Sequence, residues 1–232
     1  MRVALFVTCL VDTLFPEVGR ATVRTLEGAG ITVEFPREQT CCGQLHMNAG
    51  ARDVARSLAE RFVRVFDGYD AIVAPSGSCA GHVRAHVPEL LEGVDRGVPV
   101  RVFELSQFLV GTLGRLETGS AFSGSVTYHP TCHSLRVLRV GAAPLRLLEN
   151  IPGASLVELP DAETCCGFGG TFAVKNPDVS TAMLEEKIAA VESTGAEYVC
   201  ACDSSCLMHI GGGLRRRESS IRPVHLAEVL AP

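Results

Sequence analysis

Thr40-Cys41-Cys42-Gly43 is answered 124 residues later by Thr164-Cys165-Cys166-Gly167. Each copy sits in the same longer phrase, after Glu34-Phe35-Pro36 in one case and Glu158-Leu159-Pro160 in the other. Adjacent thiols close a disulfide only through a strained ring, so adjacency points to a partner that wants two sulfurs at once. A metal cluster is such a partner.

The echo runs the length of the chain. Cys9 pairs with Cys132 at an offset of 123, and Ser76-Gly77-Ser78-Cys79 with Asp203-Ser204-Ser205-Cys206 at 127. Val102-Phe103-Glu104-Leu105 pairs with Pro223-Val224-His225-Leu226 at 121. So long a period means two similar halves, because a solenoid needs shorter repeats and more of them. The small, polar Thr118-Gly119-Ser120 sets the expected boundary, giving repeats over 1–118 and 119–232.

Bulk composition narrows the classes. The chain has 232 residues, 47% of them hydrophobic, enough to form a core without staples. Its 10 cysteines fall well below a disulfide scaffold's share, so the thiols are better explained by a ligand or by chemistry. A net charge of −5 with mixed signs argues against nucleic-acid binding. Arg215-Arg216-Arg217 is the one dense basic run and reads as a solvated helix end. The apolar start Met1–Val7 runs into Thr8 and Cys9 without a cleavage site, so it reads as a buried first strand. No stretch approaches ~18 uninterrupted apolar residues, so no transmembrane segment is expected. A cytoplasmic setting, where thiols stay reduced, follows as the expectation.

Short apolar runs alternate with helical patterns. Strands are predicted at 3–7, 31–35, 71–74 and 100–103, and again at 125–128, 155–159, 198–201 and 221–224. Between them, Val54, Leu58, Phe62, Val65 and Phe66 form one helical stripe, as do Met183, Ile188 and Val191. The prediction is an α/β fold. Each half is a small, mostly parallel sheet flanked by helices, and the two are related by a pseudo-twofold. Cys9, Cys41-Cys42 and Cys79 then follow strands, as do Cys132, Cys165-Cys166 and Cys206. Ligands of parallel sheets gather beyond the carboxyl ends of the strands, so one pocket per half is expected. Cys79 and Cys206 are expected to open helices, where free N–H groups favour a thiolate.

The halves spell Cys9-x31-Cys41-Cys42-x36-Cys79-x2-His82 and Cys132-x32-Cys165-Cys166-x39-Cys206-x2-His209. This pattern resembles the cysteine-rich CCG domain of heterodisulfide reductase and of the iron–sulfur subunits of glycolate oxidase and anaerobic glycerol-3-phosphate dehydrogenase. It is most similar to the lactate utilisation protein A family, which also has two such domains in a short chain and a His-Pro-Thr-Cys-His motif (His129–His133). The resemblance spans essentially the whole sequence. It implies one or two iron–sulfur clusters, [4Fe–4S] in kind, and a redox role in oxidising L-lactate to pyruvate. The implied partners are the other proteins of such a system, with a small hydroxy acid as substrate. It also implies a redox component inactive alone.

The CCG domain pattern, as in heterodisulfide reductase, ends in Cys-x-x-Cys; where its last cysteine would stand, this chain has His82 and His209. Both stand as candidate ligands, as in centres where imidazole replaces thiolate. The alternatives are a four-cysteine cubane or a site open to substrate. Zinc, which also takes four thiolates or three and an imidazole, is the rival metal, and a non-catalytic scaffold the rival function. Cys202, at a strand end, is a candidate fifth ligand, whereas Cys200 reads as core. His129 and His133 flank Cys132 as donors to sulfur or as loop residues, and His46 reads as a polar loop residue. No nucleotide or flavin fingerprint is seen.

Overall fold

The fold is that of a computed structural model, which describes residues 1–92 and 97–232. Among these, eight strands form two four-stranded parallel sheets. The first comprises β1 (Val3–Leu5), β2 (Val33–Glu34), β3 (Ala71–Ala74) and β4 (Val102–Glu104), in the order β2-β1-β3-β4. The second comprises β5 (Ser123–Tyr128), β6 (Gly153–Val157), β7 (Tyr198–Ala201) and β8 (Arg222–His225), in the matching order β6-β5-β7-β8. Val3 lies opposite Ala71 in one sheet and Val126 opposite Tyr198 in the other. The sequence offsets of 123 and 127 are therefore also the offsets of sheet register.

Strand periodicity divides the core. Val3, Leu5, Ala71 and Val73 of the first sheet share one cluster with Val126, Tyr128, Cys200 and Cys202 of the second. The alternate residues face away from the seam. Ala4, Phe6, Ile72 and Ala74 pack with helix Arg52–Phe66 in one private core, and Val199 with Leu184, Ile188 and Val191 in another. Burying a Val, Leu or Phe contributes roughly 1.5–3 kcal/mol, so the shared cluster binds the halves firmly. Ser76 and Asp203, equivalent residues of the repeat, form an antiparallel bridge. A contact between equivalent positions lies on the axis that exchanges them, which is the pseudo-twofold the repeat implies.

Some details differ from the sequence prediction. β1 ends at Leu5 and β2 covers only Val33–Glu34, because the chain leaves the sheet to carry the cysteines inward. Val100 ends a short helix, Gly97–Val100, and the strand begins at Val102. In helix Arg52–Phe66 the buried face is Ala55, Ala59, Phe62 and Phe66, while Val54 is exposed. Small alanines let this helix approach the sheet, which turns the face one residue from the predicted stripe. Helix Pro177–Ser193 buries Ser180, Leu184, Lys187, Ile188 and Val191 and leaves Val179 exposed. Arg215–Arg217 are exposed at the end of helix Ser204–Arg216, where Arg217 pairs with Glu185 and Glu192. Among the described residues, no helix is long and apolar enough to cross a membrane.

Candidate metal centre

Each cysteine follows a strand and is aimed by a local device. Cys9 opens helix Cys9–Leu14 directly after β1. Cys79 lies in the first turn of helix Gly77–Leu90, whose N-cap Ser76 accepts the Cys79 N–H through Oγ at 3.2 Å. Cys206 holds the same place in Ser204–Arg216, capped by Asp203. The glycine after each vicinal pair has a positive φ, 91° at Gly43 and 88° at Gly167. That left-handed turn, which glycine adopts without strain, swings its N–H back onto the first sulfur of the pair. Gly43 N lies 3.4 Å from Cys41 Sγ, and Gly167 N 3.4 Å from Cys165 Sγ.

The sulfurs crowd together. Cys42 Sγ and Cys79 Sγ are 3.4 Å apart. Cys41 touches Cys42 and Cys9, and those thiols, with the Gly43 N–H, hold it well below the ordinary thiol range. Cys165 is lowered in the same way, first by Cys132 and then by Cys166. Cys9 and Cys132 are pushed up first by the neighbouring thiolate and then by burial, and Cys42 and Cys166 first by the neighbouring thiolate, then by Cys79 and Cys206, then by burial. Each set thus favours one thiolate, whose charge, with burial, keeps the neighbouring thiols protonated.

The eight cysteines line a single cavity of about 170 Å³, together with Ser76, Thr131, Asp203 and the loop Phe168–Gly170. The expectation of one pocket per half is therefore corrected. The bridge between Ser76 and Asp203 lies just past β3 and β7, so the carboxyl ends of both sheets open onto the same seam.

The remaining candidates lie elsewhere. His82 is buried outside the cavity wall with neither ring nitrogen hydrogen-bonded, and its ring lies 5.4 Å from that of His86. Burial first, then the His86 charge, lowers its pKa to about 4. His209 places Nε2 3.3 Å from Ser180 Oγ and its ring against Phe168, also off the wall. Cys202 turns into the shared core, with Sγ 3.1 Å from Ser134 Oγ and 3.8 Å from Thr131 Oγ1. Cys200 is fully buried in that core.

Two histidines do reach the sulfurs. His129, buried and with Nδ1 unpaired, offers a ring nitrogen within 4.8 Å of Cys166 and Cys206 sulfur. His133 has Nδ1 3.5 Å from Cys132 Sγ and Nε2 2.8 Å from Gln44 Nε2. An amide nitrogen only donates, so Nε2 accepts and Nδ1 carries the proton facing the sulfur. The sequence reading missed Lys187, whose buried ammonium donates to the carbonyls of Asp161 (2.8 Å) and Ala162 (3.2 Å) in the loop before Cys165. Its signal was present: Lys187 lies three residues after Leu184 and four before Val191, on the apolar stripe.

The family model described as "Cysteine-rich domain" (CCG) matches residues 3–84 and 126–211. Lactate utilization protein A from Oceanobacillus iheyensis is 44% identical, covering 99% of this chain and 96% of its own. The protein of that name from Exiguobacterium sp. is 46% identical with the same coverage. A solved aspartate racemase homologue from Pyrococcus horikoshii aligns over 99% of this chain and 95% of its own, at 14% identity and a TM-score of 0.36, too distant to inform the site. The chain belongs to the lactate utilization protein A family of CCG cysteine-rich domain proteins. Clustered thiols and imidazole within this domain make the seam a metal- or cluster-binding site.

Proposed function

We propose that this chain is an iron–sulfur electron-transfer component of a multi-protein system that oxidises L-lactate to pyruvate. The observation that carries the reading is the pair of four-cysteine sets around one cavity, in a chain whose relatives are named for lactate utilisation. The donor chemistry fits. Four thiolates suffice for an iron–sulfur cluster, and in each set one sulfur is already biased toward thiolate. Cys9, Cys41, Cys42 and Cys79 would hold one centre, and Cys132, Cys165, Cys166 and Cys206 the other. When bound, such a centre supplies one-electron acceptance and release.

The protein's own residues do the rest. Gly43 and Gly167 direct N–H groups at sulfur, the shared apolar core excludes water behind the seam, and Ser76 and Asp203 hold the two helix starts in register. Lactate loses two electrons and two protons on becoming pyruvate, so partner proteins complete the turnover. Ten free thiols fit a reducing, cytoplasmic setting.

Anaerobic purification with iron, sulfide and zinc analysis tests the centre, and deletion of the gene tests the role. Iron with acid-labile sulfide, and loss of growth on L-lactate as sole carbon source, are expected. Stoichiometric zinc without sulfide would overturn the reading. Growth lost on glycolate or glycerol 3-phosphate but kept on lactate would move the substrate and leave the electron-transfer role. Zinc is the second reading, favoured by the mixed set His129, Cys166 and Cys206.

A further inference from the structure

The repeat keeps the sulfurs in register but not what lies behind them. Phe6 N donates to Val73 O at 2.9 Å, and His129 N to Cys200 O at 2.8 Å, so Phe6 and His129 are structural equivalents. A Cβ on Gly43 would meet Ala55 and Leu58, and one on Gly167 would meet Ser180 and Met183. Phe62 lies four residues beyond Leu58 and Lys187 four beyond Met183, so they too are equivalent. Leu10 and His133 follow the equivalent Cys9 and Cys132. Behind the first set, apolar rings take the places of His129 and Lys187, with Phe6 and Phe62 in edge contact at 5.0 Å, while His46 and the buried His82 are the imidazoles near Cys41. The second is backed by His129, which feels the Lys187 charge, and is flanked by the His133 N–H aimed at Cys132.

A buried cation favours whichever state of a neighbouring group carries more negative charge, and low dielectric strengthens the effect. An N–H donor to sulfur acts in the same direction, and both raise the reduction potential of a thiolate-bound centre. Lys187 is fixed for this task. Its ammonium is held by two carbonyls of the loop that leads to Cys165-Cys166, and those thiols lie within its field. At the first set Phe62 fills the lysine's place and the nearby titratable groups are imidazoles, His46 and His82, while the Asp203 carboxylate on the axis accepts from Ser78 N and Ser205 N and so faces both sets.

We propose that Lys187, as a positioning and potential-setting residue with His129 and His133, makes the second cysteine set the more oxidising of the two. An electron entering the protein therefore comes to rest at the second set. This rests on the reading that each set holds an iron–sulfur centre. Internal transfer leaves the first centre oxidised by one electron and the second reduced by one, and no bond is made or broken. The electron comes from the reduced partner that receives it from the hydroxy acid.

Redox titration of the anaerobically reconstituted full chain, followed by electron paramagnetic resonance, tests the proposal. Cys166→Ser identifies the second centre's signal. Two midpoints are expected, the second higher. Lys187→Met should move the second midpoint to more negative potential by about tenfold in electron partition, about 59 mV for a one-electron couple. The first should stay unmoved, and Lys187→Arg should restore the wild-type value. Should Lys187→Met lose iron, His133→Leu, which copies Leu10, must lower the same midpoint. An unmoved second midpoint in an iron-retaining variant, or a second midpoint below the first, overturns the inference while leaving the cluster reading intact. Absence of iron and sulfide from the wild-type protein sinks both.

Discussion

Behind β1 the first half packs an aromatic cluster, in which Phe6 meets Phe62 at 5.0 Å and Phe66 at 5.6 Å. Behind β5 the second half places a histidine and a lysine in the positions equivalent to Phe6 and Phe62. Strand order, register and thiol spacing are nevertheless the same in both. Topology therefore fixes where the sulfurs stand, and the layer behind them sets their electrical surroundings. The first half also holds Thr8 at φ 70° beside Cys9. That is an uncommon conformation for a β-branched residue, and its counterpart Thr131 is not so placed.

The largest effect should come from the sulfurs themselves. Cys42→Ser and Cys166→Ser each remove a buried thiol from one set. Each is expected to release about half the bound iron, because four thiolates serve one centre. Metal analysis of both variants checks this. Complete loss from either would mean that the shared cavity holds one centre built by both halves.

Next in size is the aromatic packing. Phe62→Ala should cost about 3–5 kcal/mol, the usual range for a buried ring. Lys187→Met at the equivalent place should cost about 1–3 kcal/mol, since it leaves two buried carbonyls without a donor but fills the space. Urea denaturation of the apoprotein gives both values. A Lys187→Met cost matching that of Phe62→Ala would show that the lysine is chiefly a structural prop.

This contrast also marks where the sequence was legible. The two-half α/β fold, the strands and the eight aligned cysteines could be read, because period-2 and period-3.6 patterns and repeated Cys-Cys-Gly phrases are local signals. The single seam could not. It depends on which strand face each half turns to the other, and Cys200 and Cys202 show that only once the shared core is seen. His82 and His209 drew notice by spacing, yet neither lies on the cavity wall. His129 meets Cys166 and Cys206, and Lys187 the carbonyls of Asp161 and Ala162, on other elements, so a local pattern can mark the buried position of Lys187 but not its partners.

Two equivalent N-caps, Glu104 at the end of β4 and His225 at the end of β8, differ in charge type. Glu104 accepts the Ser106 N–H at 3.0 Å, and His225 accepts the Ala227 N–H at 3.1 Å. Burial raises the first pKa and lowers the second to about 4. The folded state thus resists charging both. The His225 contribution is complete above pH 6.5 and lost as pH falls toward about 4, an effect on the order of 3 kcal/mol at 1.36 kcal/mol per unit. The Glu104 contribution is present below pH 4.5 and lost as pH rises through the raised folded value. Urea midpoints measured against pH should lose part of their acid-side fall in His225→Asn and part of their rise-side loss in Glu104→Gln. An unchanged acid limb in His225→Asn would assign the fall to other buried histidines.

The smallest contrast lies in the two glycines that carry the vicinal pairs. Both have left-handed φ, so an alanine at either costs roughly 1–2 kcal/mol in backbone strain. Their surroundings differ. A Cβ on Gly43 would sit 3.5 Å from Leu58 Cβ, an ordinary contact, whereas one on Gly167 would lie 2.5 Å from the Ser180 carbonyl oxygen. That carbonyl belongs to helix Pro177–Ser193, and the Ser180 hydroxyl also donates to Gly167 O at 2.9 Å. The helix must shift to accept the methyl, and the hydrogen bond resists that shift. Gly167→Ala should therefore be less stable than Gly43→Ala by a further ~1–2 kcal/mol, with the added loss seen in the apoprotein, before any metal is bound. Equal stabilities would mean that the second loop yields as freely as the first, and that Lys187 and Ser180 do not hold it as tightly as their hydrogen bonds imply.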